Sequence, residues 1–357
     1  MARFIYNATM WSSIAFGILP FGYNGKLQKI SPSKYSLAYS VCVNVLQVVV
    51  SIPALPTEDF LNINVVKRNK WMDLLTRVIT IANIYTLLVI VYINWRHYKS
   101  VLNIFNEFAD IECQYFAKYG LLAWKCSAYE KYIILKGLAT LLRNLSFIYF
   151  LSGLAKVVTW NILLVLALAL LLGNRRLEYL SEHDVVHTHS RQLANEVYEI
   201  IGIYLRLIKI SKCFGRIYGK QLLFSFAIIA CGNIQALYYL GLLWADQFVG
   251  LSLLEIFNVL HGVSVNIFDF WLTITVCEQA LGMPKEVTQL LRRFTIVAEL
   301  DVEFEKSLEI LSVVSKTHKL EIRLCGIIEL NHLMGLKALL TMTLYLIYLV
   351  QFSYNDF

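Results

Sequence analysis

The chain has 357 residues, of which 58% are hydrophobic and only 16% are charged, and its mean hydropathy is +0.58. Roughly a quarter of the residues of a soluble domain are charged, so this composition excludes an ordinary soluble fold and indicates a polytopic membrane protein. The net charge of +7 comes without any dense run of Lys and Arg, which argues against a nucleic-acid partner.

Seven apolar segments are long enough to be transmembrane helices, since about 20 residues cross the hydrocarbon layer of a bilayer. They are expected at about 36–53, 75–94, 133–152, 155–173, 221–244, 251–277 and 335–353. Almost nothing separates the third from the fourth, so these two are predicted to form a hairpin. The N-terminal apolar run is broken by Gly17, Pro20 and Gly22, and we assign it to an N-terminal arm rather than to a cleaved signal peptide.

The distribution of Lys and Arg predicts the orientation in the membrane. One side carries 24 of them, in the N-terminal arm and in connections 95–132, 174–220 and 278–334, whereas the other side carries four, in residues 54–77. Basic residues concentrate in cytosolic loops, so the N-terminus is expected in the cytosol and the C-terminus outside. Apolar residues recur at three- and four-residue steps within the long connections, which predicts an all-α fold with a cytosolic helical bundle.

Catalytic and metal-binding patterns are absent from the sequence, apart from one weak cluster. The seven cysteines are scattered without a CxxC pair, which indicates neither a disulfide framework nor a zinc site. His183, His187 and His189 have metal-ligand spacing but no second cluster to complete a site, so a solvated cytosolic loop is predicted. There is no G-x-S-x-G, P-loop or G-x-G-x-x-G motif, and we expect neither an enzyme nor a cofactor.

Charged residues inside the spans are costly and are usually paired or functional. Arg143 and Glu255 are expected in the outer halves of the third and sixth spans, and Lys136 and Asp269 nearer the cytosol. We therefore predict two ion pairs, Arg143–Glu255 and Lys136–Asp269. The alternative is that each of these side chains faces water at a helix end or in a crevice.

Aromatic and polar residues near the outer face suggest a binding cleft between helices, although an interfacial aromatic belt would have a similar composition. The candidate pocket residues are Tyr149, Trp160, Tyr238, Tyr239, Glu255, Asn258 and His261.

Two short motifs carry a resemblance to a known family. The last span closes with Tyr345, five hydrophobic residues and then Gln351-Phe352, and residues 16–21 read FGILPF. With the predicted topology, these motifs make the chain resemble the insect gustatory receptors. The closing signature of that family is Thr-Tyr, five hydrophobic residues and Gln-Phe. This chain departs from it at one position, because Leu344 replaces the threonine and Thr343 lies one residue earlier.

The resemblance implies a tastant-gated, non-selective cation channel, passing Na, K and Ca, in the plasma membrane of gustatory receptor neurons. Four subunits, of one kind or mixed with other gustatory receptors, would each lend the last helix to a central pore. Gln351 and Phe352 would line its narrow part, and Tyr348 with Tyr345 would contribute to a gate. A bitter or contact chemical is the ligand class expected from the family.

The resemblance also implies a division of the chain into four regions. Residues 1–35 are a cytosolic arm, residues 36–277 a six-helix sensing region, residues 278–334 the anchor helices, and residues 335–357 the pore helix with a short extracellular tail. The last span has a continuous apolar stretch of only about 15 residues, from Ala338 to Phe352, or roughly 22 Å. A helix broken near Gly335 is therefore expected.

Other classes of membrane protein remain alternatives. A seven-helix G-protein-coupled receptor would place the N-terminus outside, where Asn7 of the sequon Asn7-Ala8-Thr9 could be glycosylated, and the basic residues oppose this orientation. A secondary transporter would show related halves, each with a broken helix. An odorant-receptor channel subunit of the same superfamily shares the expected fold and pore.

Overall fold

A computed structural model describes residues 2–24, 29–51, 70–120, 127–143, 147–182, 190–244, 253–294, 302–318, 320 and 322–355. Within these ranges the chain is almost entirely helical. The helices are α1 (Ala2–Ala15), α2 (Lys34–Ser51), α3 (Lys70–Arg96), α4 (Tyr98–Ile111), α5 (Ser127–Arg143), α6 (Phe147–Glu182), α7 (Ser190–Trp244), α8 (Leu253–Phe294), α9 (Val302–Thr317) and α10 (His332–Asn355). The described elements also include a π-helix, Glu112–Phe116, and two antiparallel hairpins, β1 (Phe21–Asn24) with β2 (Lys29–Pro32), and β3 (Arg323–Leu324) with β4 (Ile328–Glu329).

Five of the described helices contain a segment long and apolar enough to cross a membrane, namely Asp73–Arg96, Lys156–Ser181, Arg191–Gly241, Val259–Phe294 and His332–Gln351. The other two expected spans correspond to α2 and α5, of 18 and 17 residues. The seven apolar segments found in the sequence are therefore all helical where the structure describes them.

The two longest helices are continuous through both apolar and amphipathic sequence. Helix α7 has 55 residues and α8 has 42, with Pro284 inside it. At 1.5 Å per residue they measure about 82 and 63 Å, far more than the ~30 Å hydrocarbon layer. Each must therefore extend well beyond the membrane, and the boundary drawn at residue 277 falls inside α8.

The boundary between the helices of the third and fourth spans lies earlier than the hydropathy suggested. Helix α5 ends at Arg143 and α6 begins at Phe147, so Tyr149 belongs to the fourth span, and its placement at the end of the third was wrong. The SG pair at Ser152, where the turn was expected, is helical.

The expected break near Gly335 is also wrong, because α10 runs without interruption from His332. The side chain of Asn331 caps the helix, since its Oδ1 accepts a hydrogen bond from the backbone N–H of Met334 at 2.8 Å. Gly335 then lies in the first turn and is buried against α8. A close helix contact, rather than a break, explains this glycine.

The FGILPF motif forms the C-terminal cap of α1. Gly17 has φ +69°, and the N–H of Ile18 bonds to the carbonyl of Ser13 at 2.8 Å, as in a Schellman cap. Four successive carbonyls of this segment each accept a side-chain hydrogen bond from α2 or α3. The donors are Tyr39 to Ala15, Gln47 to Phe16, Ser40 and Asn44 to Gly17, and Asn94 to Ile18. The motif thereby fixes the N-terminal arm to two spans.

A polar cluster joins the ends of several helices at one end of the bundle. Lys118 and Tyr119, which follow α4, both bond to Glu199 of α7, and Arg176 of α6 lies over the Tyr119 ring at 4.8 Å. The bond to Glu199 raises the pKa of Lys118 above its ordinary value. Connections 95–132 and 174–220, both expected in the cytosol, thus meet on one side.

Candidate functional site

The centre of the bundle contains a buried ion pair. Lys136 of α5 contacts Asp269 of α8 through Nζ and Oδ1, and the two residues are only 3% and 6% exposed. Lys136 Nζ also lies 5.5 Å from the centre of the Trp160 ring on α6. The structure therefore brings together the inner of the two predicted pairs, and it links three different spans.

A small cavity of about 20 Å³ adjoins this pair. Its walls include Lys136, Lys156, Trp160, Asp269 and Thr273, and the Thr273 hydroxyl donates to the carbonyl of Asp269 at 2.9 Å. A volume of this size holds about one water molecule. The cavity is therefore too small for a tastant, and the Lys136–Asp269 pair in its wall joins α5 to α8.

Some predicted side chains lie outside the described part of the structure. These are the side chains of Arg143 and Glu255, which form the outer predicted pair, those of Tyr149, Asn258 and Phe352, and the whole segment with His183, His187 and His189. Among the residues that are described, no group of three or more His, Cys, Asp or Glu is arranged to hold a metal ion.

The described aromatic candidates do not share one cleft. Trp160 is buried in the main core, whereas Tyr238 packs with Leu75, Tyr239 and Leu346, between α3, α7 and α10. His261 stacks on Phe257, which is 64% exposed, with ring centres 6.2 Å apart. These side chains occupy three different surroundings.

The last helix has one packed side and one open side. Gly335 and Met342 are buried toward the rest of the chain. The open side carries Lys337, Thr341, Tyr345, Tyr348 and Gln351, all exposed. Their spacing of three and four residues places them along one face of the helix. The same open side also exposes Leu340 and Leu344. A polar and aromatic stripe bordered by leucines thus runs along α10 and faces away from the other described helices.

The first turn of α10 is joined to α8 by a contact that the sequence did not predict. Glu278 Oε2 accepts from the backbone N–H of His332 at 2.7 Å and lies 3.3 Å from its Nε2. The His332 ring stacks on Trp271, with centres 4.9 Å apart and planes inclined by 27°. In the sequence, the only signal of this contact is the seven-residue spacing of Trp271 and Glu278, which places both on one face of α8.

Comparison with known families extends over nearly the whole chain. The model of the 7tm chemosensory receptor family matches residues 6–356. Two Drosophila melanogaster proteins named as gustatory receptors are similar along their whole length. One, 22a, is 23% identical and the alignment covers 100% of this chain and 95% of that protein. The other, named for bitter taste, 22e, is 20% identical over 97% of this chain and 94% of that protein.

Solved structures with the same fold come from the olfactory receptor OR5 of Machilis hrabei. One gives a TM-score of 0.61 at 10% identity, covering 97% of this chain and 99% of that one. A second, of OR5 in complex with eugenol, gives 0.60 at 10% identity, covering 98% of each. The likeness covers the helical bundle and the last helix together.

Proposed function

The chain belongs to the 7tm chemosensory receptor family, and on that premise we propose that it is a gustatory receptor that opens a cation pathway when a tastant binds. The family consists of chemosensory receptors rather than enzymes. The proposed place of action is the plasma membrane of gustatory receptor neurons.

The open stripe on α10 carries the proposal for a pore. An apolar membrane-crossing helix can face lipid, but a line of hydroxyls, an amide and a lysine is costly there. Assembly of four subunits around an axis would place these groups along a water-filled path. Such assemblies are usually symmetric, so each residue of the stripe becomes a ring.

Individual residues of the stripe have different proposed roles. Four Gln351 side chains would form a ring of amide dipoles that coordinates a partly dehydrated Na, K or Ca ion. Tyr348, one turn away, and Tyr345 would form a constriction that excludes water in the closed state. Phe352 is assigned to the narrow part on the family resemblance alone.

The orientation of this path follows from the basic residues. Lys118 and Arg176 lie over the same Tyr119 ring, so the segments that carry them meet on one side of the bundle. We assign that side to the cytosol because basic loops remain there. Helix α10 then runs outward, with Gln351 at the external mouth. Helices α7, α8 and α9 would form the cytosolic anchor.

The ligand is proposed to be a small bitter or contact chemical. Support comes from the name of relative 22e, which refers to bitter taste, and from OR5, whose structure was solved with eugenol. The pocket is proposed to open outward near Tyr238 and Tyr239. His261 lies in other surroundings, on Phe257, and Tyr149, Glu255 and Asn258 are assigned to the pocket from the sequence alone. Trp160 lies beside the buried ion pair, and we expect it to pack on the cytosolic side of that pocket rather than to contact the ligand.

Current recording in cells without other chemoreceptors tests the proposal. The receptor is expressed alone, tastants are screened, and the relative permeability of Na, K and Ca is taken from reversal potentials. Gln351→Ala is expected to change permeability ratios about twofold or more without changing the tastant concentration for half-maximal current. The matched control is Val350→Ala, since Val350 faces Gly241 of α7. A change in potency with unchanged permeability would remove Gln351 from the pore.

A further inference from the structure

The contact between α8 and the first turn of α10 has the geometry of a mechanical connection. We propose that Glu278 and His332 form a latch, the Glu278–His332 latch, which positions the last helix and transmits movements of α8 to it. The inference rests on the proposed channel function, because the last helix matters to conduction only if it lines the pore.

The hydrogen bond from the His332 backbone N–H to Glu278 is strong because its acceptor is a carboxylate. The first N–H groups of a helix have no partner within the helix, and a carboxylate near a helix N-terminus is stabilised by the helix dipole. Glu278 supplies this carboxylate from another helix, with the same oxygen 2.7 Å from the His332 nitrogen and 3.3 Å from the ring nitrogen Nε2. One side chain therefore holds both the backbone and the ring of His332.

Aromatic stacking fixes the ring from a second direction. Trp271 lies seven residues before Glu278, so both side chains project from the same face of α8. The His332 ring stacks on Trp271 at 4.9 Å while its edge meets Glu278. This arrangement restricts His332 in two directions, and both restraints come from the same helix.

Close packing one turn later prevents the two helices from sliding freely. A Cβ atom added at Gly335 would lie 2.7 Å from Ile274 Cδ1 and 3.3 Å from Trp271 Cζ3. Ile274 is fully buried, so the contact leaves no space between α8 and α10. Farther along, Tyr345 and Tyr348 are 60% and 57% exposed. The first turn is therefore the part of α10 that is fixed to α8, whereas the stripe faces away from the other described helices.

Helix α8 connects the latch to the interior of the bundle. Asp269, held by Lys136, lies nine residues before Glu278, or about 13.5 Å along a continuous helix. A shift or rotation of α8 at the ion pair must move Glu278, since no break lies between them. The latch then moves the base of the last helix in the same direction.

Amide hydrogen exchange in the purified receptor tests the physical connection, independently of conduction. Glu278→Ala is expected to increase the exchange rate of residues 332–336 about tenfold. Glu278→Gln keeps a carbonyl acceptor but loses the charge, so it should recover part of the protection. Glu309→Ala, at an exposed glutamate of α9, is the control and should change nothing in this segment. Equal exchange in Glu278→Ala and in the unmodified receptor would overturn the latch.

Recording of tastant-evoked currents tests the transmission. Glu278→Ala and His332→Ala should each shift the half-maximal tastant concentration about threefold or more at equal surface expression. The double variant should shift it no more than the larger single effect, because both changes break one connection. Additive shifts, or none, would overturn the latch while leaving the channel proposal intact. If the unmodified receptor passes no current with any tastant, the channel proposal fails and the exchange measurement alone decides whether the latch exists.

Discussion

Removal of the carboxylate of the buried pair is the sharpest test of how the bundle is held together. Asp269→Asn removes the carboxylate that contacts Lys136 in the bundle interior, where Lys136 is only 3% exposed. Breaking a buried ion pair in this way costs about 3–5 kcal/mol. The Trp160 ring, 5.5 Å from Lys136 Nζ, is present in both proteins and so does not offset this cost, and a large net destabilisation is expected.

Thermal unfolding of the detergent-solubilised receptor measures this effect. The melting temperature is the temperature at which the monodisperse peak in size-exclusion chromatography is lost. The double variant Lys136→Met, Asp269→Leu should recover most of the loss, since apolar residues often replace a buried pair at little cost. Asp73→Asn is the matched control, because Asp73 pairs with Arg77 of the same helix at 3.0 Å at a more exposed position. That substitution should cost no more than about 0.5 kcal/mol.

Two outcomes would refute the reasoning about the pair. If Asp269→Asn melts like the Asp73→Asn control, both charges are hydrated and the pair contributes nothing measurable. If the double apolar variant is as unstable as Asp269→Asn alone, the loss arises from the cavity or from packing rather than from the broken ion pair.

Three further predictions concern the backbone and the orientation. Gly17→Ala should destabilise the receptor by about 1–2 kcal/mol in the same melting assay, because Gly17 has φ +69° and its added Cβ would lie 3.1 Å from the Ser40 carbonyl; Gly262→Ala, with open space around it, should not. Gly219→Ala should displace the β3–β4 hairpin, since the new Cβ would meet the Cys325 nitrogen at 3.0 Å, and faster proteolysis of that hairpin would reveal the displacement. An epitope added after Phe357 should be labelled on intact cells, and labelling only after permeabilisation would reverse the proposed orientation.

The amino-acid sequence determined the class of protein and the approximate spans. Hydropathy is a local sum, and a run of about 20 apolar residues has few alternatives to a membrane-crossing helix. The pairing of Lys136 with Asp269 could also be predicted, because a charge inside a span needs an opposite charge at similar depth. The short motifs at residues 16–21 and 345–352 were enough to suggest the family that the match over residues 6–356 established.

Only the tertiary structure decided how the helices are divided and joined. The end of α5 at Arg143 lies within a nearly continuous apolar stretch, where hydropathy carries no information about the direction of the chain. The cap at Gly17 depends on donors from α2 and α3, and the Glu278–His332 contact joins residues 54 positions apart. Such contacts arise when separate helices meet, and a pattern read along one helix cannot specify which face of another it will touch.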